Sequence, residues 1–341
     1  MKKILIATVA SMVLTGAAAA QEVTLRVHHF LSADAPIQVG VLEPWEKMVE
    51  EQSGGRIDVQ LFPSMQLGGK PPQLFDQARD GIVDISWTIL GYTPGRFPIS
   101  EVFELPFMSG TATETTAALQ EFQAKYLTEE LREVKPLLLH APASYKVHVK
   151  GGPVAKMADL SGLKIRTPSR TMTDGLSALG ATPVGMPVPE VTQAISTGVI
   201  DGTVIPWEVF GSLRLEEVTK QHTEFGTENG GMSTSIMALV MNKAKYDALP
   251  DDLKKVIDDN SGQALAALAG QAMDDEETAQ RQKAIDAGAT ITVIPEDQLT
   301  EWKDASQPVI DNWVATMTDA GHDGQAIVDD AKAMLAKAQG Q

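Results

Sequence analysis

Apolar residues along the first third of the chain recur with a period of two, then of about 3.6, then of two again. Val23, Leu25 and Val27 alternate with polar neighbours and predict a strand that ends at His28-His29-Phe30. After a loop over 31–36, Ile37, Val41, Trp45, Met48 and Val49 fall on one helix face, with Pro44 placed to kink it and Gly54-Gly55 to end it. Ile57, Val59 and Leu61 predict a second strand, residues 71–80 a helix stopped by Gly81, and residues 82–87 a third strand reaching Trp87. This strand–helix alternation opens a doubly wound, Rossmann-like α/β unit. The glycine fingerprint of a dinucleotide site is missing, and Gly68-Gly69-Lys70 is too short for a phosphate loop.

The pattern continues with a turn-rich loop over 91–98 on the ligand edge of that sheet, a helix over 111–131, and strands over 137–140 and 145–149. Pro142 between those strands marks a crossing into a second unit. Residues 180–190 carry too many prolines for regular structure and read as loop or extended chain. A short helix over 190–196 follows, and Asp201-Gly202 turns into a strand ending at Pro206-Trp207. Residues 233–241 are apolar enough for a buried strand returning to the first unit. From Pro250 to Gly288 nothing stronger than Gly262 and Gly270 interrupts a helical pattern. About 37 residues at ~1.5 Å each give roughly 55 Å, long enough to lie along both units. A strand over 289–294 and an acidic, alanine-rich helical remainder complete the chain.

One stretch carries chemistry. Leu163 to Arg166 alternates apolar and basic residues, Pro168 stops the strand, and Ser169 or Thr171 can cap a helix that runs to Leu179. Arg166 is thereby expected at the carboxyl end of a strand, beside a helix amino terminus, where open α/β sheets bind ligands. A guanidinium held there suits a carboxylate. An internal ion pair with Asp159 or Asp174 is the competing use of the same residue.

Charge and composition narrow the function. The 341 residues carry a formal charge of −17, which argues against nucleic acid and anionic membrane as partners. Lys2-Lys3, an apolar run over 4–14 and small residues at Ala18 and Ala20 read as a signal peptide, residues 1–20, removed before Gln21 on export to the periplasm. That run is shorter than the ~20 residues a membrane span needs. The chain has no cysteine, so disulfides and thiolate metal sites are excluded. His28-His29 are adjacent and face opposite ways on a strand, so no metal is expected, nor any cofactor. Glu101 and Glu104, at helical spacing, read as a solvated pair, and Ser144, Ser169 and His140 form no defensible triad. A periplasmic hydrolase is the minor alternative. It predicts turnover, where a receptor predicts a stable complex.

Several pieces, in order along the chain, resemble one family. They are residues 44–57, Asp80-Gly81-Ile82-Val83-Asp84, Gly162-Leu163-Lys164-Ile165-Arg166, Gly180-Ala181-Thr182-Pro183 and Gly198-Val199-Ile200-Asp201-Gly202. Each is weak alone. Together they make the chain similar to the extracytoplasmic solute-binding proteins of tripartite ATP-independent periplasmic (TRAP) transporters, the DctP-like type. The Asp-Gly and Gly-Leu-Lys-Ile-Arg motifs favour this ion-driven family over receptors of ATP-driven importers. The resemblance implies two α/β lobes with a central cleft, hinge strands and a long helix spanning both. Lobe I would comprise 21–143 plus 231–272, and lobe II 144–230 plus 273–341. It implies flytrap closure on a small solute, delivery to one small and one large integral membrane subunit, and Arg166 as the residue that grips the ligand carboxylate.

Lys146, with Lys150 as rival, is expected to supply a second basic contact. Phe30, Trp87, Tyr92 and Trp207 are expected to line the cleft, with His29, Met186 and Val188 nearby. Ile205 stands where dicarboxylate and sialic-acid members commonly carry an asparagine. An apolar group there favours a monocarboxylate with an apolar or aromatic body. A carboxylated quaternary-ammonium or sulfonium zwitterion, or a sulfonate, is the alternative ligand.

Overall fold

The computed structural model describes residues 21–227 and 230–340; the expected signal peptide lies outside the described residues. The amino-terminal elements are β1 (Val23–His28), α1 (Glu43–Gln52), β2 (Ile57–Phe62), α2 (Leu74–Arg79) and β3 (Ile85–Ile89). The three strands are parallel in the order β2-β1-β3, and Val23 lies opposite Ile57 so that Leu25 and Val27 enter the core. Pro44 does not break α1. It occupies the first turn, where its missing N–H costs nothing, and a π-helical stretch over Gln38–Leu42 leads into it.

Beyond β3 lie α3 (Ala112–Tyr126) and β4 (Val134–His140). The chain then crosses at 141–145 and builds a second sheet from β5 (Lys146–Val149), β6 (Lys164–Thr167), α4 (Arg170–Ala178), β7 (Thr182–Gly185), α5 (Val191–Ser196), β8 (Gly202–Ile205) and β9 (Gln221–Gly226). It crosses back to β10 (Met237–Asn242), which inserts antiparallel between β3 and β4. The first sheet is therefore β2-β1-β3-β10-β4. The second, β11-β9-β5-β8-β6-β7, is closed by β11 (Thr290–Pro295), reached through α6 (Lys243–Asp247), α7 (Asp251–Asp259) and α8 (Gln263–Asp286).

The two crossing segments run side by side, with Tyr145 N–H donating to Ser233 O at 2.7 Å and Met232 N–H to Tyr145 O at 3.0 Å. Gly231 permits this approach, because a Cβ there would stand 2.5 Å from the Ser144 side chain and backbone.

The long helix differs from the sequence expectation. It breaks at Asn260–Gly262, where Gly262 takes φ +58° and ψ −128° and gives its N–H to Leu137 O at 2.7 Å. The 24 residues of α8 span roughly 36 Å at ~1.5 Å per residue, which still reaches from one sheet to the other. At its amino-terminal half Asp274 accepts the N–H groups of Ala112 and Thr113 at 2.7 and 2.9 Å. At the other end Arg281 pairs with Glu224 of β9 at 2.7 Å.

The carboxyl-terminal helices, grouped with the second lobe on sequence grounds, bridge the two halves. Trp302 of α9 (Thr300–Asp319) packs edge-on against Phe225, while Trp313 donates to Pro98 O at 3.1 Å. Then α10 (Gly324–Ala338) lies on α3, joined by Lys337–Glu121 at 2.7 Å and by Lys125–Asp330. None of the helices among the described residues is long and apolar enough to cross a membrane.

Candidate functional site

Arg166 is the third residue of β6 and only 1 % exposed. The Ser169 hydroxyl accepts the Met172 N–H at 3.3 Å and starts α4 directly after the strand, as its sequence signal suggests. The Nε of Arg166 donates to Met186 O at 2.9 Å, which holds the plane of the guanidinium, while Nη2 is buried with no hydrogen-bond partner. Among the described residues no carboxylate pairs with it. Asp159 instead accepts the N–H groups of Ala155 and Lys156, at 2.9 and 3.1 Å. A buried cationic donor left open in this way is costly unless an anion completes it.

That guanidinium faces a narrow cavity between the two sheets. Phe30, Leu31, Ile37, Trp87, Ile89 and Met237 line it from the first half, and Tyr145, Arg166, Val188, Ile205, Pro206, Glu208 and Val209 from the second. Phe30 and Trp87 form an aromatic wall, their rings 4.9 Å apart and inclined by 22°. Trp87 is fixed from behind, because its indole N–H donates to His140 Nε2 at 2.9 Å. The halves also meet directly. Val188 N–H donates to the Tyr92 hydroxyl at 2.9 Å, and Arg170 pairs with Glu101 at 2.6 Å. Burial raises the Tyr92 phenol above its ordinary range, and the Arg166 guanidinium beside it works in the opposite direction.

Of the residues expected at the site, the structure brings Arg166, Phe30, Trp87 and Val188 onto the cavity wall, with Tyr92 behind Phe30 at 5.5 Å. Met186 contributes its carbonyl oxygen rather than its side chain. His29 supports the wall. Its Nε2–H donates to Gln38 Oε1 at 2.7 Å, its ring meets Trp87 edge-on at 6.3 Å, and burial lowers its pKa to about 4, so it is neutral.

Two residues are placed elsewhere. Lys146 is fully buried in β5 but is bonded to Glu277 of α8 and to Ser144 O at 2.5 Å, so its charge is already neutralised. Trp207, 0 % exposed, sits in the core of the second half. It donates to Glu224 Oε1 at 2.9 Å and packs between His148, Phe210 and His222. Ile205, Pro206, Glu208 and Val209 on either side of it line the cavity, while the 3₁₀ turn over Trp207–Val209 carries the indole into the core.

Tyr145 and Glu208 were not anticipated as lining residues. Tyr145 follows the crossing segment and could have been sought there. Glu208 is the middle residue of the 3₁₀ turn after the Asp-Gly strand, a place that offers no periodic signal. Among the described residues no cluster of three or more metal-ligating side chains exists. The arrangement offers one fixed cation, aromatic and aliphatic walls, and few polar groups. Such a combination is chemically suited to holding a small organic anion.

Comparison with known proteins agrees with this geometry. Residues 27–316 match the family model of the bacterial extracellular solute-binding proteins, family 7 (DctP). A TRAP solute-binding protein from a marine metagenome, specific for aromatic acid ligands and solved with metahydroxyphenylacetate, superposes with a TM-score of 0.90. It is 47 % identical, and the match covers 93 % of this chain and 99 % of that one. A TRAP solute-binding protein from Rhodoferax ferrireducens, solved with copurified benzoate, also gives 0.90. It is 42 % identical over 93 % of this chain and 98 % of that one. The C4-dicarboxylate-binding periplasmic protein DctP of Rhodobacter capsulatus is 27 % identical over 309 residues, 89 % of this chain and 90 % of its own. The chain belongs to the bacterial extracellular solute-binding proteins of family 7, the DctP family of TRAP transporter receptors.

Proposed function

We propose that this receptor captures aromatic monocarboxylates in the periplasm and passes them to the membrane subunits of a TRAP transporter. The observation that carries the reading is the buried, unpartnered Nη2 of Arg166, set in a cavity walled by Phe30 and Trp87. The guanidinium takes the ligand carboxylate, and the ring of the ligand is sandwiched by apolar side chains. Among the described residues that line the cavity Arg166 is the one cation, Lys146 being paired with Glu277, and this favours one carboxylate over two. Ile205 on the wall agrees with that preference, as do the aromatic acids held by two similar solved receptors.

Capture proceeds by closure. Arg166 approaches from the second half and the aromatic wall from the first, with the paired crossing segments at 141–145 and 231–236 as hinge. Water is expelled, and the ion pair strengthens in the lower dielectric. The family and the signal-like stretch at residues 1–20 support a periplasmic location. A thermal-shift and calorimetric panel tests the reading: benzoate, phenylacetate and mandelate against succinate, glucuronate and a betaine. Aromatic monocarboxylates should raise the melting temperature and be recovered unaltered. Stabilisation by succinate or glucuronate alone would overturn it.

A further inference from the structure

We propose that Glu208 reads the far end of the ligand, its carboxyl group hydrogen-bonding a hydroxyl on the ring of an aromatic monocarboxylate held by Arg166. This rests on the aromatic-acid reading above and adds to it a residue and a substituent class.

The cavity has two charged-type side chains on its wall, Arg166 and Glu208, separated by apolar ones. Glu208 is 4 % exposed and its Oε2 is buried with no hydrogen-bond partner, as is Nη2 of Arg166. Its backbone N–H is already used, donating to Glu277 Oε2 at 2.9 Å. Glu277 in turn holds Lys146, so the ammonium group nearest these two acids is spent on Glu277. Among the described residues no cation pairs with Glu208 itself.

Burial, together with the Glu277 charge, pushes the Glu208 carboxyl well above the ordinary carboxylate range, which favours its neutral form. A neutral carboxyl group donates and accepts at once, which is what a hydroxyl needs from a partner. An unsubstituted ring would leave the Glu208 oxygen unsatisfied, and a second ligand carboxylate would add charge beside Glu277 with no cation left to meet it.

The competing use of an ionised Glu208 is to hold a cationic group on the ligand. The test separates the two. Protein freed of carried-over ligand by unfolding and refolding is titrated calorimetrically with benzoate, the three monohydroxybenzoates, isophthalate and 3-(aminomethyl)benzoate. At least one hydroxylated acid should bind about 10-fold or more tightly than benzoate, with isophthalate and the amine weaker than either. Glu208→Gln, which also donates and accepts, should keep that preference. Glu208→Leu should reduce it to within about 3-fold while benzoate binding persists.

A preference that survives Glu208→Leu, or one lost in Glu208→Gln, would overturn the assignment, as would tightest binding of the amine. Should Glu208→Leu fail to fold by circular dichroism, wild type and Glu208→Gln still decide between hydroxyl and charge recognition. Equal binding of benzoate and every hydroxybenzoate by wild type sinks the role of Glu208 alone. If no benzoate binds at all, the aromatic-acid reading fails and the assignment falls with it.

Discussion

The Nε of Arg166 donates to the carbonyl oxygen of Met186 at 2.9 Å, across the junction between β6 and the chain that follows β7. That bond fixes the guanidinium by one edge and leaves the other edge for a ligand. Arg166→Met should therefore abolish binding of aromatic acids, at a cost of about 2–5 kcal/mol. It should leave the unliganded protein as stable as before, or more so, because a buried unpaired charge has been removed. Arg166→Lys cannot bond Met186 and present a planar fork together, and should not restore binding. Calorimetry and thermal melting with and without benzoate check both statements. Undiminished affinity in Arg166→Met would remove the residue from the site.

Lys146 and Glu277 make the opposite case, a buried pair complete without a ligand. Removing one partner strands the other in low dielectric, so Lys146→Met should destabilise the fold by about 3–5 kcal/mol in urea unfolding. The double variant Lys146→Met/Glu277→Gln keeps an acceptor for the Glu208 N–H and should regain at least half of that loss. Affinity for benzoate should change less than about 3-fold in the double variant. Loss of binding with stability intact would return Lys146 to the ligand.

Two buried groups give pH dependences of opposite sign. Burial lowers His140 to about 3, so below pH 6.5 the unfolded chain takes a proton that the folded chain refuses. Relative to His140→Gln, wild type should lose about 1.4 kcal/mol per pH unit as pH falls from 6.5 towards 3. Glu104 is pushed up to about 7 by burial, so the folded chain keeps a proton that the unfolded chain releases above 4.5. Relative to Glu104→Gln, wild type should lose stability at a similar slope as pH rises from 4.5 to 7, then level off. Urea midpoints measured at each pH for wild type and variant supply both curves. Parallel curves would contradict either assignment.

How much of this was legible in the sequence depended on range. The period-two strands Val23–His28 and Ile57–Phe62 declare themselves locally, and both sheets follow from such runs. Arg166 was legible for the same reason, since its strand, its Pro168 stop and its Ser169 cap lie within a few residues. The pairing of Lys146 is not legible locally, because its partner Glu277 sits 131 residues away on another helix. Trp87 and Trp207 look alike in sequence, each at the end of a strand. One extends a sheet that faces the cavity, and the other sits in a 3₁₀ turn whose neighbours face it instead. No pattern in the segment around Glu208 distinguishes it from a solvated acid.

In the sequence Gly262 is only a weak point in a continuous helical pattern, and the structure makes it the break between α7 and α8. The reason is not local composition. Its N–H goes to Leu137 O, at the centre of β4, and only a backbone at φ +58° and ψ −128° lets the chain turn to reach that oxygen and then start α8. That conformation is almost closed to residues with a Cβ, although a Cβ at this position would meet nothing within 4 Å. Gly262→Ala is thus a test of backbone strain free of steric contact. It should cost about 1–3 kcal/mol in urea unfolding. Because α8 carries Asp274, Glu277 and Arg281 to both halves, a change in its starting angle should also weaken benzoate binding by several-fold. Stability equal to wild type would show that the break tolerates an ordinary residue, and that something other than glycine's freedom ends α7.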